Sequence, residues 1–131
     1  MKEKAVEYFL KGNSCSESIV KAAIDAGLCD RMLFSCATSF SAGMSAGCVC
    51  GAVTGCQLVL GYNFGKENVK NNPVCAREKS KALVEEFKKR NKATCCRVLT
   101  AGLEGCLKKE HCSKLVQDAA EILEGLVMLK V

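Results

Sequence analysis

Tryptophan is absent, and the chain holds only two tyrosines, five phenylalanines, one proline and one histidine among 131 residues. With so few aromatics, the core must be built from Ala, Val, Leu, Ile and Cys. β-Branched residues nowhere alternate over a long run, so strands are not indicated. No Cys-x-x-Cys, no Cys-x-x-Cys-His and no ferredoxin-type run occurs, which excludes covalently attached haem and leaves a zinc site without its usual paired knuckles. Nothing resembles a catalytic triad, a phosphate loop or a carboxylate pair, so a turnover hydrolase or transferase is not indicated. Internal repeats, low-complexity tracts and linkers are missing too, and residues 1–131 read as one domain.

What the chain has in excess is cysteine, eleven residues of it. An odd count forbids complete pairing within one chain. The N-terminal stretch Met1-Lys2-Glu3-Lys4-Ala5-Val6-Glu7-Tyr8 is charged throughout and lacks the apolar run of a signal peptide. Reduced thiols in a cytoplasmic protein are therefore expected, acting as redox groups or metal ligands where they do not simply pack as small hydrophobes.

The net charge is +5, with thirteen Lys or Arg against six Asp or Glu between Lys66 and Lys114. Much of that surplus, Lys88-Lys89-Arg90 and Lys92, falls at the end of one helix, where cations complement the helix dipole. Without interleaved aromatics or a nucleic-acid motif, no nucleic-acid partner is expected. Between Arg31 and Lys66 there is no charge at all. The many Gly, Ser and Thr in that span, with Gln57 in its middle, argue for a buried central helix rather than a membrane span.

The periodicity predicts about six to seven helices in a compact all-α bundle. The first covers Lys2–Leu10. The second is opened by the capping box Ser14-Cys15-Ser16-Glu17 and stops at Gly27, with Cys15, Ile19, Ala22 and Ala26 on one face. A helix from Met32 to Ser41, a glycine break at Gly43 and Gly47, and a central Gly/Ala/Cys-rich helix from about Cys48 to Tyr62 follow. Asn72-Pro73 opens a long amphipathic helix with Ala76, Ser80, Leu83 and Phe87 inside. A short helix over Thr94–Ala101 precedes a last one starting near Cys112, whose apolar face is Leu115, Val116, Ala119, Ile122, Leu123 and Leu126.

Two features carry chemistry. Gly51 and Gly55 stand four apart inside a helix that each weakens by about 1 kcal/mol relative to alanine. Something must approach that bare face closely, either a neighbouring helix or a cofactor or second thiol, and both glycines are candidate cofactor-binding positions. Cys15, Cys48, Cys50, Cys96 and Cys112 each fall in or beside the first turn of a predicted helix, where free amides lower a thiol pKa. Converging, they would suit an anionic iron–sulfur cluster or a reactive thiol, and these five are the candidate metal ligands. His111 reads as a partly exposed loop residue rather than a ligand.

The element Cys50-Gly51-Ala52-Val53-Thr54-Gly55, with Cys15 upstream and Cys96 and Cys112 downstream, resembles the C-GCAxxG-C-C family of redox proteins. Gly12-Asn13-Ser14-Cys15, Cys96-Arg97-Val98-Leu99 and Cys112 through Leu123 match its other cysteine segments, so the resemblance spans nearly the whole chain. It implies a small redox-active protein with Cys15, Cys50, Cys96 and Cys112 as its working set. The same domain occurs joined to a multihaem cytochrome segment, with an associated iron–sulfur centre, which by analogy implies electron transfer or redox sensing. A metal-free thiol–disulfide protein is the alternative, and a structural zinc domain a third. A redox partner protein is expected, with a homodimer as one allowed assembly. The chain departs from the family in its extra cysteines, among which Cys48, Cys95 or Cys106 could replace a neighbour.

Overall fold

Seven α-helices and no strand make up the described residues, 1–128, of a computed structural model. Helix α1 (Lys2–Leu10) buries Ala5 and Phe9, four residues apart, against α2 (Cys15–Asp25) and α7 (Gly105–Met128). Helix α2 starts where the sequence predicts. The Ser14 side chain accepts the Glu17 amide at 3.2 Å while the Glu17 carboxylate accepts the Ser14 amide at 3.0 Å. Ser14→Ala removes this cap, and about 1 kcal/mol of stability should go with it in a denaturant melt.

The predicted helix over Met32–Ser41 forms as α3 (Leu33–Ala37) tightening into a 3₁₀ turn over Thr38–Phe40. The glycine break appears as a turn over Gly43–Gly47. The central helix, α4 (Gly51–Phe64), begins later than periodicity suggests, because residues 48–50 are drawn into extended backbone. Val49 pairs antiparallel with Cys95, and the Cys50 amide donates to the Thr94 carbonyl at 2.6 Å. Two distant segments thus spend their amides on each other rather than on helix.

Helix α4 packs on α2, α5 (Val74–Asn91) and α7, burying Ala52, Val53, Cys56, Val59 and Leu60. It is not enclosed on every side: Thr54, Gln57 and Leu58 are half-buried, and Tyr62 is exposed. The expected inner stripe of α5 holds, with Leu83 and Phe87 fully buried. This helix starts one residue later than the sequence suggests, at Val74 after Pro73, and the Asn72 side chain accepts the Val74 amide at 2.9 Å. Short α6 (Cys96–Leu99) leads to α7, which starts seven residues before the sequence suggests. Residues 105–110 are exposed and carry no apolar stripe, so helix-favouring Leu, Lys and Glu build those turns without a periodic signal. Among the described residues, no helix is long and apolar enough to cross a membrane.

Candidate redox site of converging cysteines

Four elements bring the site together. Ser14 sets Cys15 as the first residue of α2, Cys50 immediately precedes α4, and Cys96 opens α6. Cys112 lies two turns inside α7, so the expected helix-terminus setting fails for it.

Cys15 lies within hydrogen-bonding reach of both Cys112 and Cys50. Its single S–H, shared between them, and burial push the Cys15 thiol far up, so it stays protonated. Its partners move the other way. Cys112 is lowered to about 7, first by the bond from Cys15 and then by Lys108 and Lys109, one turn back on α7. Cys50, 3 % exposed, is lowered by the bond from Cys15 and by the Ala52 and Val53 amides at the start of α4, against the penalty of burial.

Gly51 and Gly55 are what let α2 come this close. A Cβ at Gly51 would stand 3.1 Å from the Ser16 amide nitrogen and 3.3 Å from the Cys15 Cβ. At Gly55 it would meet the Ser16 carbonyl oxygen at 2.9 Å. Helix α2 therefore lies against this bare face, with the Cys15 Cβ beside Gly51.

Cys96 lies half-buried at the edge of this cluster, its thiol raised by burial and then by the negative charge of Cys50 and Cys112. The antiparallel bridge decides which neighbouring cysteine can accompany it. Cys95 keeps the extended backbone of the bridge while Cys96 turns into α6, and the Cys95 thiol donates to the Gly47 carbonyl at 3.3 Å. The Cys48 side chain is exposed, with its sulfur 4.0 Å from the Ala46 carbonyl oxygen rather than in the cluster. Cys106 is exposed at the start of α7, Cys29 half-buried, Cys36 and Cys75 exposed, and Cys56 buried with its thiol on the Ala119 carbonyl. His111, expected in a loop, is half-buried within α7.

The turn ahead of Cys48 is strained. Ala42, Met44 and Ser45 all adopt positive φ (52°, 60° and 58°), each costing of order 1 kcal/mol. Gly43 between them has φ +65°, and a Cβ there would fall 2.8 Å from the Cys96 Cβ and 2.6 Å from the Cys48 nitrogen. The strain folds this turn tightly over Cys96. Sequence reading found the glycines here but missed the left-handed run and the two lysines beside Cys112.

A cavity of about 230 Å³ opens beside the cluster, lined by Phe9, Ser14, Cys15, Ser41, Ala42, Cys96, Lys108 and Cys112. Larger hollows of about 520 and 430 Å³ lie elsewhere, the second touching Cys36 but none of the clustered cysteines. Four soft thiols suit iron–sulfur or zinc chemically. Among the described residues, however, no group of three or more Cys, His, Asp or Glu side chains is spaced to hold a metal ion. Cys15 is instead placed to share its proton with Cys50 or Cys112, and Cys96 acts on them only through charge.

The family model described as "Putative redox-active protein (C_GCAxxG_C_C)" matches residues 13–126. The chain belongs to this family. No curated protein and no solved structure matches it. The sequence resemblance sets four cysteines, Cys15, Cys50, Cys96 and Cys112, against the C-GCAxxG-C-C pattern. Three of them make the hydrogen-bonded cluster, and the fourth adjoins it.

Proposed function

We propose that this member of the C-GCAxxG-C-C family works as a thiol–disulfide redox protein through Cys15, Cys50 and Cys112. The observation that supports it best is the Cys15 thiol within hydrogen-bonding reach of two sulfurs whose pKa values it lowers. A thiol with pKa near ambient pH combines a large thiolate population with good nucleophilicity, which is the optimum for exchange. Cys112, at about 7, meets that condition and is half-buried rather than enclosed. Its thiolate attacks a partner's disulfide, forming a mixed disulfide and expelling one partner sulfur as thiolate. Cys15 then attacks the Cys112 sulfur, releases the second partner sulfur and leaves a Cys15–Cys112 disulfide. The partner gains the two electrons that the two cysteines lose. Cys50 lies within hydrogen-bonding reach of the Cys15 thiol before attack, and the Cys15 proton leaves with the second partner sulfur.

A second reading, an iron–sulfur cluster for electron transfer or redox sensing, is favoured by Cys96. It supplies a fourth soft donor at the same cavity, with the α4 amides directed at Cys50. In that reading Cys15, Cys50, Cys96 and Cys112 would hold the group, with Cys48 as an additional donor, and the cluster would supply one-electron transfer. A structural zinc site would use the same four sulfurs. Either way a redox partner protein is required, and the cytoplasm is the compartment that suits free thiols.

Protein purified without oxygen should contain less than stoichiometric iron, sulfide and zinc. On mild oxidation it should give one disulfide that peptide mass spectrometry maps to Cys15. Stoichiometric iron and acid-labile sulfide that persist through chelation would replace this reading with the cluster.

A further inference from the structure

Lys108 is the charged residue lining the cavity beside the thiols, and no carboxylate lines it. Among the described residues Lys108 makes no hydrogen bond or ion pair, although its neighbours on α7 are engaged. The Lys109 ammonium donates to the Phe9 carbonyl at 3.0 Å and sits 3.9 Å from the centre of the Phe9 ring. Lys114 is bonded to Asn91 and Asp118. Glu17, the acidic residue next to the Ser14 wall, is occupied by the Ser14 amide and by the Thr38 hydroxyl at 2.8 Å. The Ser41 hydroxyl is likewise spent, on Ser14 at 2.8 Å and the Thr38 carbonyl at 2.6 Å. Lys108 therefore borders, through its side chain, a largely apolar cavity whose other walls are Phe9, Ser14, Ser41, Ala42 and three cysteines, and its charge faces no carboxylate, only Cys112 and Cys96.

Lys108 and Cys112 are four residues apart on one helix, so their side chains are neighbours about 6 Å apart on one face. At about 230 Å³ the cavity is smaller than the roughly 300–1,000 Å³ typical of sites for drug-sized ligands, which favours a small compound over a peptide.

We propose that this cavity is the substrate pocket of the thiol centre and takes a low-molecular-weight anionic disulfide, its carboxylate on Lys108 and a sulfur against Cys112. The assignment rests on the thiol–disulfide reading and adds a substrate class to it. The Cys112 thiolate bonds to the near sulfur as the substrate's own S–S bond breaks, and the far half departs as thiolate. Cys15 then attacks the Cys112 sulfur and displaces the near half. The two products leave as thiols, carrying the Cys15 proton and one from solvent, and the Cys15–Cys112 disulfide holds the oxidising equivalents.

Three small disulfides test this on the reduced full chain: dithiodiglycolate (anionic), bis(2-hydroxyethyl) disulfide (neutral) and cystamine (cationic). Each rate of Cys112 modification, read by mass spectrometry, is divided by that compound's rate with free cysteine. Dithiodiglycolate should lead the neutral compound by about fivefold at low salt, the scale of one exposed ion pair, and the lead should shrink as salt is added. In Lys108→Met the lead should vanish, and in Lys108→Glu cystamine should become the fastest. Equal normalised rates in the wild type, or an anionic lead that survives Lys108→Met, overturn the pocket assignment while leaving the thiol centre standing. If none of the three compounds modifies Cys112 or yields a Cys15 disulfide, both readings fall together.

Discussion

In Cys15→Ala, the thiolate population of Cys112 at pH 7 should fall by up to about fifteen-fold. Cys112 is held at about 7 mainly by the hydrogen bond from Cys15, so about half of it is ionised at neutral pH. Deleting that donor returns the thiol toward the ordinary value of about 8.5, where only a few per cent is ionised. Lys108 and Lys109 remain and limit the rise. Ultraviolet thiolate absorbance across a pH titration reads the change directly, and the oxidised variant should also lack the disulfide that maps to Cys15. The same shift appears in stability. A thiol whose folded pKa lies below its unfolded value stabilises the fold above the unfolded pKa, and that contribution is lost as pH falls through the folded pKa. Reduced wild-type protein should therefore lose the Cys112 contribution between about pH 9 and pH 7, and Cys15→Ala should show a flatter profile over that window. Cys15 opposes this at the alkaline end. Its raised pKa stabilises the fold below the ordinary thiol value, and that contribution goes as pH climbs beyond it. Unchanged Cys112 ionisation in the variant would mean that the lysines, rather than Cys15, activate it.

Local signals in the chain were legible and distant ones were not. The Ser14–Glu17 capping box requires only four consecutive residues, and it sets Cys15 where the sequence indicates. Glycines four apart likewise announce a close approach at α4, although only the fold shows that Ser16 and Cys15 make it. The extended segment before Cys50 could not be read, because its partner is Thr94–Cys96, more than forty residues away. The Cys95 thiol goes to the Gly47 carbonyl, while Cys96, opening α6, lines the cavity beside the cluster. The role of Lys108 and Lys109 was hidden for a related reason. They stand one turn before Cys112 only if the helix already exists there, and residues 105–110 build it with no buried stripe to mark it. The left-handed backbone at Ala42, Met44 and Ser45 has no sequence signature, since these residue types normally avoid it.

The second large effect is expected at Gly55, where fold and site depend on the same contact. A Cβ there would lie 2.9 Å from the Ser16 carbonyl oxygen, 3.1 Å from the Ser16 Cα and 3.2 Å from the Ile19 Cβ. Two of these are backbone atoms, so no side-chain rotation relieves the overlap. Ser16 cannot retreat cheaply, because its buried hydroxyl donates to the Ala37 carbonyl at 2.7 Å. The residue gained would improve helix propensity by less than about 1 kcal/mol, whereas overpacking a core costs about 1–3 kcal/mol. Valine, with two methyls beyond the Cβ, should sit at the top of that range. Gly55→Val should thus lower stability by about 3 kcal/mol, a drop in Tm of about 12 °C for a domain of this size. Gly61 on the same helix is the control, since nothing lies within 4 Å of a Cβ built there. Gly61→Ala should raise Tm slightly. Because Gly51 and Gly55 share a face and Gly51 touches Cys15, displacing α2 at Gly55 also draws the Cys15 thiol from Cys50, and the Cys50 thiol should rise with burial no longer opposed by that bond. A Gly55→Val protein that melts within a degree or two of wild type, with its thiolate titration intact, would show that α2 and α4 do not meet through these glycines and that the cluster is held by other means.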